Sequence, residues 1–202
     1  MKLMQWQNTD AVIEWFKGLS NKKKKSFIQL DIESFYPSIT PELLDRALEC
    51  AASHVEISSE GKKVMKLAKK SFLYTGSTPW VKKGESNFDV GMGAFDGAES
   101  CDLIGLYLLH IISTQIKDLE IGLYRDDGLC VSSAKPRLTE KLRQKIVQIF
   151  RENGLGTTSA ANLNQVQFLD VTLDLKNETY KPYIKPGDKP SYVHSDSNHP
   201  LP

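Results

Sequence analysis

The chain has 202 residues, 40% of them hydrophobic and 25% charged, with a formal net charge of +1. This composition supports a globular domain with a buried core and excludes collagenous, disordered or disulfide-stapled chains. No apolar run is long enough to span a bilayer, and Trp6, Asp10 and Glu14 interrupt the stretch where a targeting signal would be apolar; an intracellular protein, nuclear or cytoplasmic and without membrane attachment, is expected. Residues 10–19 have a weak helical period. The lysine run Lys22 to Lys25 then leads into "SFIQLDIESF", an apolar, β-branched stretch that reads as a buried strand ending at Asp31. Thr40 is a good N-cap with Pro41 at the first helical position, which predicts a helix from Pro41 to about Ser53. A second, lysine-studded helix is predicted from about Glu60 to Leu73, followed by a turn-rich segment, "YTGSTPWVKKGESNFDVGMG", with room for a short hairpin.

From Ala98 to Lys117 the chain is apolar on nearly every face, which predicts a helix buried on several sides. "IGLY" and "GLCVSS" flank "RDD" as two arms of a hairpin, with Asp127-Gly128 expected as the turn pair. An amphipathic helix should cover about Arg137 to Asn153 and stop at Gly154. "QVQFLDVTLDL", "YKPYIKP" and "PSYVHS" read as short strands, with Asp170 and Asp174 on the polar face of a half-buried one. This order predicts an α+β fold with no internal repeat.

Cys50, Cys101 and Cys130 are odd in number and lie in apolar stretches, so buried thiols are expected rather than disulfides or zinc ligands. His194 and His199 flank Asp196, but no cysteine or third histidine is near them in sequence, which disfavours zinc there as well. Lysine is unevenly spread: residues 1–30 hold six against two acids, and residues 60–85 hold seven against two. Lys62, Lys66, Lys69 and Lys70 suit contact with a polyanion or a wet helix face equally. Lys181 and Lys185 lie beside Tyr180 and Tyr183, a combination that serves either a nucleic-acid backbone or an edge hairpin.

Asp126 and Asp127 raise a sharper question, because adjacent like charges at a hairpin repel unless something compensates them. Magnesium would: it favours hard oxygen ligands and is held by one or two carboxylates plus substrate phosphates. Asp31, at the end of its own strand, would complete such a site. Asp31 also opens "DIESFYPSI", in which the aromatic Tyr36 follows the acid by five residues.

An acid with an aromatic at that spacing, followed by "YRDD" from Tyr124 to Asp127, resembles the first and third palm motifs of reverse transcriptases. The tail sharpens the resemblance. "FLDVTLDL" from Phe168, "YIKP" and "SNHP" are similar to the region after the catalytic hairpin in reverse transcriptases of Penelope-like retroelements, and the likeness covers about Phe27 to Pro200. It implies a polymerase palm, an antiparallel sheet carrying the catalytic hairpin with helices packed on one face. On that basis residues 1–26 are an N-terminal remnant of the fingers, 27–162 the palm, and 163–202 a β-rich segment leading towards a thumb.

The resemblance implies template-directed addition of dNTPs to a primer 3′-hydroxyl on an RNA or DNA template. Two Mg2+ ions, with Mn2+ as the alternative, would be held by Asp31, Asp126, Asp127 and the backbone carbonyl of Ile32. Tyr36, with Phe35 beside it, would pack on the incoming sugar and exclude a 2′-hydroxyl. The family's second motif, Pro-Gln-Gly, is replaced by "MGAFDGAES", so Gly93 and Gly97 are the candidates for close backbone approach to a nucleotide. Fingers, thumb and endonuclease segments of such elements are not in this sequence, which makes a fragment of a longer polyprotein the expectation. Two alternatives stand. "DIESFYPSI" is also close to the first motif of family B DNA polymerases, whose later motifs are missing here. A domesticated palm that binds nucleic acid without catalysis is the other.

Overall fold

The computed structural model describes residues 3–70, 72–80, 87–117, 119–185 and 187. In chain order these form β1 (Leu3–Gln5), α1 (Thr9–Gly18), β2 (Ser26–Ile32), the short α2 (Phe35–Ser38), α3 (Pro41–Ala52), α4 (Ser59–Leu67), β3 (Leu73–Thr75), β4 (Thr78–Trp80), α5 (Gly97–Gln115), β5 (Glu120–Tyr124), β6 (Asp127–Ser132), α6 (Pro136–Glu152), β7 (Thr157–Leu163), β8 (Gln165–Phe168), β9 (Val171–Asp174) and β10 (Thr179–Pro182). Local chemistry sets the helix ends. The Thr40 hydroxyl accepts the Leu43 N–H at 3.2 Å and the Ser58 hydroxyl accepts the Gly61 N–H at 3.0 Å, so α3 and α4 begin where a side-chain oxygen satisfies an orphan donor. Helix α6 stops before Gly154, whose φ of 79° lies in the left-handed region that glycine enters without strain. Helix α4 ends at Leu67, earlier than expected, because the chain from Leu73 pairs with Thr78–Trp80 as a small hairpin around Gly76.

Five strands make the main sheet in the order β1-β5-β6-β2-β7, antiparallel except for the parallel pair β1·β5. Alternation along the strands sends their side chains to opposite faces. Ile28, Leu30, Ile32, Ile121, Leu123 and Cys130 pack against Leu43 of α3, Ile104 and Leu108 of α5, and Ile146 and Phe150 of α6. On the other face Phe27, Leu129 and Val131 meet Trp15 and Phe16 of α1, with Trp6 and the inner residues of a second sheet, ordered β10-β9-β8. Helices therefore cover one face as expected, while α1 and the small sheet cover part of the other.

Two strands of the main sheet were not expected from sequence, β1 and β7. Through β1 the N-terminal segment shares the sheet with residues 27–162. Strand β9 is not half-buried: Val171, Thr172 and Leu173 are all buried, because β9 lies between β8 and β10. Cys101 and Cys130 are buried thiols, as expected, but Cys50 is only half-buried. "PSYVHS", "SNHP" and the His194, Asp196 and His199 group fall outside the described residues. Among the described residues no helix is long and apolar enough to cross a membrane.

Candidate active site

The hairpin of β5 and β6 closes on Tyr124 opposite Asp127, so the two-residue turn is Arg125-Asp126 and not the expected Asp127-Gly128. Packing explains the difference. Gly128 pairs with Leu123 on one side and Leu30 on the other, and a Cβ there would lie 2.9 Å from Leu123 Cδ2 and 3.2 Å from Leu30 Cβ, so its lack of a side chain serves the core and not the turn. Arg125 instead takes the left-handed φ, 51°, at the first turn position, where a hairpin of this twist usually places glycine. Its guanidinium lies over the Tyr124 ring at 5.3 Å.

Strand β2 runs antiparallel to β6, with Asp31 directly opposite Asp127. Opposed residues of an antiparallel pair project to the same face, with Cβ atoms about 4.5–5.5 Å apart. The register is fixed at the tip by the Ile32 N–H, which donates to the Asp126 carbonyl at 2.8 Å. Asp31, Asp126 and Asp127, far apart in sequence, thus meet at one end of two neighbouring strands. The Ile32 side chain is only 2% exposed, so this residue can meet the site only through its backbone. On the far side β7 sets Thr158 opposite Asp31, and the Thr158 hydroxyl donates to Asp31 Oδ2 at 3.5 Å.

Electrostatics mark this cluster. The Asp127 carboxyl is pushed up to about 6, first by burial, then by the charges of Asp126 and Asp31, with Lys185 opposing. A cleft of about 640 Å³ opens beside it, lined among others by Tyr124, Asp127, Leu169, Asp170, Tyr183 and Lys185. Asp170, expected on a strand face, instead occupies the β8–β9 turn beside Leu169, whose φ is 52°, and its carbonyl accepts the Tyr183 N–H at 2.8 Å. Leu169 and Asp170 of Phe-Leu-Asp, with Tyr183 and Lys185 of "YIKP", therefore line one cleft with Asp127.

Tyr36 is half-buried. Burial is the main influence holding its phenol above the ordinary range, with the Cys101 thiol and, more weakly, Asp126 in reach. Burial likewise pushes Cys101 up to about 12, against the hydrogen bond to Tyr36. A Cβ on Gly97 would lie 2.6 Å from the Gly91 carbonyl and 3.6 Å from Tyr36 Cε1, so Gly97 permits the close approach of the 91–96 turn, Tyr36 and the start of α5. Gly93 sits in that turn with a φ of 87°. Phe35 is a correction: at 2% exposed it fills the core under the sheet and cannot face a nucleotide.

Lys69 is a second correction. It is 3% exposed and ion-paired with Asp96 at 2.5 Å, so it anchors the segment before α5 and offers nothing to a phosphate. Lys66 is half-exposed and paired with Asp45 at 2.8 Å. Lys62, on α4, is partly exposed, and Lys70, Lys181 and Lys185 face solvent; of the proposed lysines only Lys185 lines the carboxylate cleft. Thr158 and Arg125 escaped the sequence reading. "TTSAANL" looks like a small-residue linker, and nothing local distinguishes the arginine of "YRDD".

No protein-family model matches the sequence, and no curated protein does. Solved structures share the fold. Apo telomerase from Candida tropicalis aligns with a TM-score of 0.64 at 11% identity over 89% of this chain, and Candida albicans telomerase in complex with a fragment of telomeric RNA with 0.63 at 10% over 89%. The RNA-dependent RNA polymerase of a human picobirnavirus aligns with 0.57 at 13% over 81%. The chain spans 37%, 34% and 31% of those three proteins. The fold is that of a nucleic-acid polymerase palm, with a mostly antiparallel sheet backed by helices.

Proposed function

We propose that this chain is the palm of a reverse transcriptase, adding dNTPs to a primer 3′-hydroxyl under the direction of a template. The observation that carries the reading is the register that sets Asp31 against Asp127 with Asp126 at the adjoining turn. The donor set suits magnesium. Three hard carboxylates share one end of the sheet, and burial, followed by the charges of Asp126 and Asp31, disfavours the Asp127 carboxylate that a divalent cation would stabilise. Bound there, such ions would supply activation of the primer hydroxyl and neutralise charge on the phosphates.

The chain's own residues do the rest. Asp31 and Asp126 would be the principal ligands, and Asp127, fixed in β6, lines the cleft. Tyr36, packed against the core beside Gly97, is the side chain we assign to crowd a sugar 2′-hydroxyl, which would favour deoxynucleotides over ribonucleotides. The finer assignment to a Penelope-like retroelement is supported by the position of Leu169, Asp170, Tyr183 and Lys185 in the lining of the cleft. Primer extension with the palm in its complete reading frame tests the proposal. Asp31→Asn and Asp126→Asn should each reduce incorporation by orders of magnitude with circular dichroism unchanged, and full activity in either variant would refute it.

A further inference from the structure

At the far end of α5 a second group of side chains comes together. Cys50, in the last turn of α3, His54, four residues on and still within the helical turn that follows it, and His110 of α5 present sulfur and nitrogen atoms that all lie within 4.8 Å of one another. Cys50 and His54 share a face because residues four apart are helical neighbours, and the His54 N–H still donates to the Ala51 carbonyl at 2.9 Å. The two imidazole centroids are 5.8 Å apart and steeply inclined. A cavity of about 360 Å³ opens over the three, bounded by Val55, Leu106 and Tyr107 among others.

We propose that Cys50, His54 and His110 form a zinc site that clips α3 to α5. One thiolate and two imidazoles are the borderline-soft donors that Zn2+ takes, whereas Mg2+ favours oxygen. Tetrahedral Zn2+ needs four ligands; the three side chains supply three, and a water in the open cavity supplies the fourth. Bonds of about 2.0–2.3 Å to each donor require donor atoms somewhat closer than 4.8 Å, a distance that side-chain rotation at this half-exposed surface covers. Binding releases the Cys50 thiol proton to solvent and involves no redox change. The site is separate from the carboxylates. Gly97 at the start of α5 touches the Tyr36 environment, and His110 lies about 20 Å further along the helix at 1.5 Å per residue.

The test uses reduced protein without chelator, titrated with Co2+ as a spectroscopic stand-in and then with Zn2+, in excess Mg2+. One equivalent of Co2+ should give tetrahedral ligand-field bands and a thiolate-to-cobalt charge-transfer band, both displaced by Zn2+. Cys50→Ser should remove the charge-transfer band. His54→Ala or His110→Ala should weaken Zn2+ binding at least about tenfold, the scale on which even outer partners of metal ligands act. In the unaltered protein Zn2+ should protect Cys50 from alkylation, read by peptide mass spectrometry, which needs no variant to fold. A charge-transfer band that survives in Cys50→Ser, an unprotected Cys50 at saturating Zn2+, or binding lost only in a His194→Ala/His199→Ala double variant would each overturn the site.

Discussion

The backbone N–H of Ile32 donates to the carbonyl of Asp126 at 2.8 Å, and this bond ties the end of β2 to the hairpin turn. It extends the ladder in which β2 and β6 pair with Asp31 opposite Asp127, and the buried face makes that register specific. A slip of one residue would send Asp31 to the helix-covered face, where Ile28, Leu30 and Ile32 now pack.

Asp127 makes the stability of the metal-free protein depend on pH. Its folded-state carboxyl titrates at about 6, above the unfolded value, so the folded state binds the proton more tightly. The contribution is full at acid pH below the unfolded value and is lost as pH rises through 6. Thermal melts from pH 4 to 7 should therefore show a decline in Tm that Asp127→Asn lacks. Mg2+ should raise Tm more at pH 7.5 than at pH 4.5; an equal rise at both would detach the cation from these carboxylates.

Tyr36→Ala removes the side chain proposed to crowd the sugar. Its expected signature is ribonucleotide incorporation by a variant that still uses dNTPs. Competition assays with matched rNTP and dNTP measure the ratio, and an unaltered ratio would remove the gate.

Lys185 and Lys69 should behave oppositely. Lys185→Ala should lower the slope of log affinity for primer-template against log salt by about one while leaving stability unchanged. Lys69→Ala should leave that slope alone and destabilise the fold by about 1–3 kcal/mol, since Asp96 loses its buried charged partner. Salt-dependent binding isotherms and urea melts on both variants separate the roles.

Gly122→Ala probes the seat of the N-terminal strand. A Cβ there would fall 2.5–2.7 Å from three atoms of the Trp6 ring, which is itself 3% exposed and wedged beside Trp15 and Phe168. Overpacking of this kind costs about 1–3 kcal/mol. An unchanged denaturation midpoint would mean that Trp6 does not dock as described.

Much of the site was legible because its signals are local. Asp31 ends an apolar run, "YRDD" sits between two β-rich arms, and Thr40-Pro41 announces a helix. The features that escaped depend on partners distant in sequence. Strand β7 is made mostly of small residues that acquire meaning only beside β2, and β1 is three residues long and exists because β5 offers an edge. The Asp-Gly pair points to a turn only locally, while Gly128 answers to Leu30, almost a hundred positions away, and so lies within β6. Lys69 lies in a lysine-rich stretch that looks wet, and Phe35 stands beside Tyr36 in the resembling motif; Asp96 and the α5 core claim them.

The sheet order has a consequence for how the protein is made. Only β5 and β6 are neighbours both along the chain and across the sheet; every other pairing in it joins distant segments. Such a topology folds slowly, because long loops must close before pairing is rewarded. On the ribosome β2 emerges well before β6, so Phe27, Ile28 and Leu30 wait unpaired. That interval exposes an adhesive edge, and nascent chains stalled ahead of Asp127 should be the ones chaperones hold.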